Sequence, residues 1–231
     1  MTESALAAFG AAPERVEGAH GADVARLYRI KGRLAAPLCG PEVLLPEGDF
    51  SGAAFPLAAG AVGTHPVTVR GLDPCTLQGD AAILHLLRRF GADVAWQGDG
   101  VTVSPAPLHG IAIDARQIPD LVPVLAVVAA MAEGETHITG AARLRLKESD
   151  RIATTAALLR ALGGNVTENE DGLTVVGSPL TGGTVDGAGD HRIVMSAAVA
   201  ALRTSGDVCI TGTEAVAKSY PTFFSLITSA N

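Results

Sequence analysis

Residues 143–151, RLRLKESDR, place four basic and two acidic side chains directly before the apolar segment IATTAALLRALGG. Ser149 or Asp150 could cap a helix that begins there, and Lys147 and Arg151, four residues apart, would share one face of it. Cations beside the positive end of a helix are unfavourable unless an anion neutralises them. The cluster predicts a phosphate or carboxylate ligand, although neighbouring charges could instead form ion pairs in a solvated loop.

Further charged positions stand beside apolar segments. Asp190, His191 and Arg192 open the apolar segment IVMSAAVAAL, again with a cation at the positive end of the predicted helix. Lys218 is isolated in AVAKSYPTFF, and Asp120 in RQIPDL precedes LVPVLAVVAAMA. Taken singly, Lys218 could simply extend its ammonium group into solvent. Asp120 could be an ordinary helix cap. Together with the first cluster they form the set of candidate site residues.

A repeat in the sequence predicts the helices and strands around these residues. LLRRFGADVAWQGDGVTV begins at Leu86 and LLRALGGNVTENEDGLTV begins 72 positions later, at Leu158. Each copy predicts a helix end, a glycine stop, a strand, a two-residue Asp-Gly turn and a second strand. A weaker third copy opens the chain, with a helix ending at Gly10 and a strand in ARLYRIKG, residues 25–32.

A second repeated element lies between these copies. Three apolar helical segments are each headed by an aspartate that could cap them and followed by a strand that closes at a glycine: Asp49, Asp120 and Asp190, then Gly71, Gly140 and Gly212. Helices that are apolar on all sides are buried. The sequence therefore predicts an α/β fold of repeated βαβαββ-type units of about seventy residues, with buried helices inside and sheets outside.

Composition excludes several classes of function. A formal charge of −7, a pI near 5.3 and 4% aromatic residues argue against a nucleic-acid partner, and no apolar stretch approaches membrane-spanning length. The histidines and cysteines have no metal-ligand spacing, so we expect no metal site. The cysteines, Cys39, Cys75 and Cys209, are interpreted as reduced packing residues of a cytoplasmic protein.

The segments LRLKESDR, GDHRIVMSAAVAAL and VAKSYPTFF, preceded by EGDFSGAAFPLAA and LQGD, resemble the 5-enolpyruvylshikimate-3-phosphate synthase family in order and spacing. The resemblance implies a two-lobed enolpyruvyl transferase fold with three repeated units in each lobe. It implies transfer of the enolpyruvyl group of phosphoenolpyruvate to the 5-hydroxyl of shikimate 3-phosphate, without metal or organic cofactor. Residues 47–231 would form the C-terminal lobe, and residues 1–46 a partial unit like the tail of the other lobe.

The resemblance also assigns roles. Asp120 would take the proton of the attacking hydroxyl and bind the shikimate ring, Lys147 would contact the same substrate, and Arg143 stands where some members have a substrate-binding asparagine. Glu148 would move protons to and from the methylene carbon, with His191 as a relay. Phosphoenolpyruvate would be bound by Arg151, Arg192 and Lys218.

The sequence departs from the family by lacking the Lys-Ser pair, the arginine in a glycine-rich loop and the Ser-Ser-Gln cluster of the N-terminal half. We expect the chain alone to have little transferase activity, and residues 1–46 to be loosely ordered or to dock on a separate N-terminal lobe or another copy. One alternative is a non-catalytic lobe that binds phosphoenolpyruvate or phosphate weakly. Another is an enolpyruvyl transferase for nucleotide sugars, or a phosphate cyclase, which KESDR and DHR disfavour.

Overall fold

The computed structural model describes residues 1–11, 13–16, 27–29, 39–43 and 45–228. The chain divides into two compact units, Met1–Pro46 and Glu47–Asn231. The first unit contains the helix α1 (Thr2–Ala8), with Gly10 at φ +80° just after it, and two antiparallel strands, β1 (Glu14–Val16) and β2 (Leu27–Arg29). Of the strand predicted at residues 25–32, residues 27–29 form a strand and the others lie outside the described ranges. The expectation that residues 1–46 are loosely ordered also falls largely on residues outside these ranges.

The second unit contains the repeats. In chain order its helices and strands are α2 (Phe50–Val62), β3 (Val67–Arg70), α3 (Ala82–Phe90), β4 (Asp93–Gln97), β5 (Gly100–Ser104), β6 (Ala112–Asp114), α4 (Val122–Ala130), β7 (Glu135–Thr139), α5 (Arg151–Ala161), β8 (Asn165–Asn169), β9 (Gly172–Val176), β10 (Gly183–Asp186), α6 (His191–Ala201), β11 (Val208–Thr211) and α7 (Phe223–Thr228). Short 3₁₀ helices lie at Gly79–Ala81, Pro119–Leu121, Ala142–Leu146 and Thr213–Lys218.

The sheets show the repeat at three stages of completeness. The middle repeat is a full βαβαββ unit, with strand order β6-β7-β9-β8, in which β6 and β7 are parallel and the β8–β9 hairpin is antiparallel. The first repeat forms the three-stranded sheet β3-β5-β4, and the third forms the parallel pair β10-β11. The predicted repeated α/β fold is thus confirmed.

Three helices form the centre of this unit. Every residue of α4 is buried, as is nearly all of α2 and α6, and the three helices contact one another. Exposing their apolar side chains to water would cost a free energy of roughly 25 cal/mol per Å² of apolar surface. The helices are therefore buried, and the sheets lie outside them. The predicted buried helices and outer sheets are confirmed. Two of these central helices carry the predicted caps, Asp49 on α2 and Asp190 on α6.

The hairpin turns are displaced by one residue from their predicted position. Gln97 pairs with Gly100 and Asn169 with Gly172, so the two-residue loops are 98–99 and 170–171. The glycine of each Asp-Gly pair is thus the first residue of the second strand of its hairpin, β5 or β9. A Cβ atom on Gly172 would overlap the backbone carbonyl of Ile138 in the neighbouring strand β7. The glycine is needed for close approach of two backbones rather than for the turn.

Replacing Gly172 with alanine is expected to destabilise the unit by at least about 1–3 kcal/mol, because the added methyl must push a backbone carbonyl aside. Gly98→Asn is the control in the other hairpin: Gly98 has φ +60° and open space around a Cβ, and asparagine is one of the few residues besides glycine that adopts this conformation. Urea unfolding followed by the fluorescence of Trp96, the single tryptophan, measures both. Equal losses in the two variants would contradict the explanation.

All three cysteines, predicted to be packing residues, are exposed, so that prediction was wrong. On β11 burial alternates, and Val208 and Ile210 face the core while Cys209 lies on the outer face. The prediction used the average burial of cysteine, whereas strand alternation decides the side on which a residue falls. No helix in the described ranges is both long and apolar enough to span a bilayer.

Candidate active site

Arg151, the first residue of α5, is at the centre of a cluster of charged side chains. Its side chain is 2% exposed, and its guanidinium donates to three carboxylates: Nε to Asp190 Oδ2, Nη1 to Asp120 Oδ1 and Nη2 to Glu148 Oε2, each at 2.7 Å. A planar guanidinium is suited to such multiple pairing. A buried charge is costly unless it is paired. These bonds therefore hold the start of α5 beside the start of α6, where Asp190 lies, and beside the 3₁₀ helix that contains Asp120.

Asp120 does not cap α4, contrary to the sequence prediction. It lies within the 3₁₀ helix before α4, and α4 has no side-chain cap. A cap at position 120 would accept from the backbone N–H two or three residues later, and one of these two donors is missing because Pro123 has no N–H. The carboxylate instead contacts three cations: Arg151, Lys147 (Nζ–Oδ1 3.3 Å) and Arg192 (Nη2–Oδ2 3.6 Å).

Electrostatics keep the carboxylates of the cluster ionised at neutral pH. Burial raises the pKa of Asp120, but the charges of Arg192, Lys147 and Arg151 outweigh it and hold that pKa below its ordinary value. A hydrogen bond from its own backbone N–H lowers the pKa of Glu148, and the charge of Arg151 adds to this against the effect of burial. Both groups are therefore available to accept protons.

Lys147 and Arg151 meet on Asp120, although not for the predicted reason. The helix begins at Arg151 with Asp150 as its cap, and Lys147 lies before it in extended backbone. The predicted shared helix face is therefore wrong. Ser149, the other cap candidate, donates to Asp190 at 3.0 Å.

The third repeat supplies the other side of the cluster. Arg192, in the first turn of α6, donates through Nη1 to the backbone carbonyl of Asp120 at 3.1 Å. Lys218 ends a 3₁₀ helix, is 67% exposed, and places Nζ 3.4 Å from Glu148 Oε1. The structure thus brings six predicted site residues together: Asp120, Lys147, Glu148, Arg151, Arg192 and Lys218. The cluster reaches the surface through Lys147 and Glu148, which are about one-third exposed, and through Lys218.

His191 and Arg143 lie at different distances from this cluster. His191 is buried, with Nδ1 3.9 Å from Asp190 Oδ1, and burial together with the charge of Arg192 lowers the pKa of its imidazole. Arg143 is exposed on the 3₁₀ helix before Lys147 and, within the described residues, makes no contact with the six.

The lowered pKa of His191 predicts a pH dependence of stability. Below its unfolded pKa of about 6.5 the unfolded chain binds a proton that the folded chain does not, so stability is complete above that pH and is lost as pH falls through the folded pKa. One proton limits the slope to about 1.4 kcal/mol per pH unit. His191→Gln should flatten the unfolding free energy between about pH 5 and 7, whereas exposed His65→Gln should not; equal slopes in both variants would contradict this.

Two members of the predicted clusters were given no role in the site. Asp190 was expected to cap a helix beside His191 and Arg192, yet its side chain is 0% exposed and also pairs with Arg151. Arg145 donates to Asp150 and Glu168, each at 2.9 Å, and to two backbone carbonyls of the β8–β9 turn. The alternating basic residues of RLRLK mark Arg145 as one of the charged residues of the first cluster. The local sequence does not indicate that its partners include Glu168 and the backbone at residues 169–170, more than twenty positions away.

No group of three or more His, Cys, Asp and Glu side chains in the described part of the chain could hold a metal ion.

The family described as EPSP synthase (3-phosphoshikimate 1-carboxyvinyltransferase) matches residues 1–227. The chain belongs to the EPSP synthase family. The charged cluster therefore lies in an EPSP synthase lobe, on segments that the sequence resemblance singled out.

Comparison with individual members of the EPSP synthase family shows how much of each relative this chain covers. A 3-phosphoshikimate 1-carboxyvinyltransferase of Methanocella arvoryzae is 54% identical over 179 residues, which are 77% of this chain and 42% of that protein. One from Halobacterium salinarum is 42% identical over 217 residues, covering 91% of this chain and 50% of that protein. The chain spans about half the length of the curated relatives it matches.

Solved structures agree with the family and the fold. EPSP synthase from Acinetobacter baumannii superposes with a TM-score of 0.79 at 34% identity, covering all of this chain (100%) and 54% of that one. The enolpyruvyl transferase NikO from Streptomyces tendae gives a TM-score of 0.73 at 23% identity, over 98% of this chain and 51% of that chain. The second likeness shows the fold alone.

Proposed function

We propose that this chain supplies one lobe of an active site that transfers the enolpyruvyl group of phosphoenolpyruvate to the 5-hydroxyl of shikimate 3-phosphate. The charged cluster that joins Asp120, Glu148 and four cations, in a chain of this family, is the observation that carries the proposal. Two anionic substrates need cations to bind them, and a reaction that moves protons between oxygen and carbon needs carboxylates. The cluster contains both.

Shikimate 3-phosphate would lie on the side of Asp120 and Lys147, with Arg143 reaching it from the solvent side. The ionised Asp120 carboxylate accepts the proton of the 5-hydroxyl as that oxygen bonds to the substituted carbon of phosphoenolpyruvate. Its lowered pKa favours the form that can accept a proton. Lys147, already beside this carboxylate, adds positive charge for the anionic substrate.

Phosphoenolpyruvate would lie on the side of Arg192 and Lys218, with Arg151 beneath. Its negative groups compete with Glu148 for Arg151 and Lys218. An anion that takes these cations removes charges that lower the pKa of Glu148, so the pKa rises and the carboxyl can carry a proton. Glu148 then gives this proton to the methylene carbon and removes one as phosphate leaves, with neutral His191 as a relay.

One lobe provides one wall of such a site. Without donors on the opposite side, water is not excluded and the substrates are not held in reacting geometry. We propose that the chain alone has little transferase activity and works with an N-terminal lobe that closes over the cluster.

Mixing the purified chain with the N-terminal half of the Methanocella arvoryzae relative tests this proposal. Phosphate release from both substrates should be low for either piece and rise on mixing towards ordinary enzyme rates of about 1–10³ s⁻¹. Full turnover by the chain alone would overturn the half-site idea. Titration calorimetry that detects phosphoenolpyruvate or phosphate binding, with no turnover in the mixture, would instead favour the non-catalytic lobe.

A further inference from the structure

Lys147 and Glu148, which the proposed function places in the reaction, lie in a segment with few backbone contacts of its own. Lys147 has extended backbone after the 3₁₀ helix Ala142–Leu146, and α5 begins only at Arg151. Among the described residues, the backbone of residues 147–149 takes part in no backbone–backbone hydrogen bond. A segment with so few bonds does not fix its own conformation, which therefore depends on what holds its two ends.

The side chain of Arg145 links the two ends of this segment. Its Nη1 donates to Asp150 Oδ2 at 2.9 Å, and Asp150 is the residue that caps α5. The ion pair between Arg145 and Asp150 therefore closes a loop of four residues, 146–149. This loop carries both Lys147 and Glu148. Closing a short loop removes many of the conformations that its residues could otherwise adopt.

The same guanidinium binds the β8–β9 hairpin, which lies beside the loop. Nη1 also donates to Glu168 Oε1 at 2.9 Å, Nη2 donates to the carbonyl of Asn169 at 2.8 Å, and Nε donates to that of Glu170 at 3.0 Å. The hairpin also holds the chain before the loop, because Asp171 accepts from the backbone N–H groups of residues 140–141. A planar guanidinium donates in fixed directions, so these bonds set the orientation of the loop relative to the hairpin.

The repeated fold itself does not require this arginine. The corresponding segment of the first repeat, residues 71–81, contains no basic residue and no glutamate. It is nevertheless followed by α3 and the β4–β5 hairpin, as the middle repeat is followed by α5 and β8–β9. The N–H of Gly71 also donates to the carbonyl of Asp99 in that hairpin turn. Of these two repeats, the arginine is present in the one whose loop carries Lys147 and Glu148.

Arg145 and its two carboxylate partners are too exposed to contribute much to stability. The side chains of Arg145, Asp150 and Glu168 are each about one-third exposed. Ion pairs with such exposure contribute little to the free energy of unfolding. Several charge-assisted hydrogen bonds to one guanidinium nevertheless give a precise geometry. The arrangement therefore suits the orientation of a loop more than the stability of the fold.

We propose that Arg145 is a positioning residue, which orients the loop so that Lys147 and Glu148 reach the charged cluster. Four of its five N–H groups are already bonded to the hairpin and to Asp150, which leaves little capacity for a substrate anion. Arg145 thus acts through the two loop residues and does not itself bind substrate. The inference rests on the proposed function, because it assumes that these two residues take part in the reaction.

Arg145→Lys keeps the charge but cannot donate in all of these directions. In the two-piece enzyme it is expected to lower kcat by about 10–10²-fold, because Glu148 is displaced from the carbon that it protonates. KM for phosphoenolpyruvate should change much less than kcat, since Arg192 and Lys218 lie on other elements. Steady-state phosphate release gives both constants. A kcat equal to that of the parent would overturn the proposal.

Arg160→Lys is the matched control for this variant. Arg160 is exposed near the end of α5, and its Nη2 also donates to a backbone carbonyl of β8, that of Val166, at 3.3 Å. It thus joins the same helix to the same hairpin, but at the end away from the loop. Its kcat should equal that of the parent. A similar loss of kcat in both variants would show a general loosening of the hairpin and would contradict a specific role of Arg145.

Glu168→Gln tests whether Arg145 acts through the hairpin. This variant should also lower kcat, but by less than Arg145→Lys, because the bonds to the backbone of the turn remain. Combined with Arg145→Lys it should cause little further loss, since both changes break the same contact. If the two losses multiplied instead, Arg145 would act independently of Glu168 and its proposed link to the hairpin would be wrong.

The order of the loop can also be measured without substrate. Leu146 is 89% exposed beside Lys147, so Leu146→Cys can carry a nitroxide label once the three native cysteines, all exposed, are replaced by serine. Electron paramagnetic resonance of the chain alone should show a restricted label. Adding Arg145→Lys should shorten its rotational correlation time, whereas adding Arg160→Lys should not. Unchanged mobility with Arg145→Lys would overturn the proposal.

The two measurements separate this inference from the proposed function. If the parent mixture shows no turnover, the proposed function is wrong, and the label alone decides whether Arg145 orders the loop. If the parent mixture turns over and Arg145→Lys keeps its kcat, the positioning role is wrong whatever the label shows. Loss of both kcat and label restriction in Arg145→Lys, with neither lost in Arg160→Lys, is the expected result.

Discussion

Replacing Arg151 with methionine is expected to lower the free energy of unfolding by about 3–5 kcal/mol, the usual cost of removing one partner of a buried ion pair. The variant would leave the carboxylate of Asp190, at 0% exposed, without its guanidinium. The pKa of Asp190 is raised by burial but held below its ordinary value by its bonds to Arg151. Urea unfolding followed by Trp96 fluorescence measures the loss.

Lys147→Met is the matched control for this variant. Lys147 contacts the same cluster through Asp120, but its side chain is partly exposed, and pairs of that kind contribute about 0.2–1 kcal/mol. Adding Asp190→Asn to Arg151→Met should restore part of the stability, because asparagine still caps α6 but carries no buried charge. A loss for Arg151→Met no larger than that for Lys147→Met would show that the buried cluster does not hold the unit together.

Replacing Glu148 with glutamine is expected to lower kcat of the reconstituted two-piece enzyme by about 10²–10⁴-fold, the usual contribution of a general acid or base. Glutamine keeps the size and one acceptor oxygen but cannot carry the proton for the methylene carbon. Arg151 and Lys218, freed from a carboxylate, would still bind the anionic substrate, so KM should change much less than kcat. Steady-state phosphate release with both substrates gives the two constants.

Glu214→Gln is the control for Glu148→Gln. Glu214 is exposed on the 3₁₀ helix that carries Lys218, and among the described residues it makes no contact with the charged cluster. It should leave kcat unchanged. If Glu148→Gln instead raised KM and left kcat within a few-fold of the parent, Glu148 would be a binding residue, and the proposed proton transfer would be wrong even though the enzyme assignment stood.

The architecture was predictable from sequence because its signals are local and repeated. A wholly apolar segment such as α4 must be buried wherever it occurs, and a glycine after a helix followed by alternating residues predicts a helix stop and a hairpin. Two copies in the same register strengthen each other. The sequence prediction was wrong at single residues whose place depends on a neighbouring strand. Gly172 lies in β9 rather than in the turn, and there it passes close to the backbone carbonyl of Ile138.

For the site, the amino-acid sequence was sufficient to show which charged residues stand at the starts of buried helices in an apolar chain. Apart from Glu148, three residues before Arg151, their partners are far away in the chain and became known only from the fold: Arg151 lies 31 residues from Asp120 and 39 from Asp190, and Lys218 lies 70 from Glu148. Propensity and spacing reach about one helical turn, whereas the sharing of one buried guanidinium by three carboxylates depends on how three helices pack together.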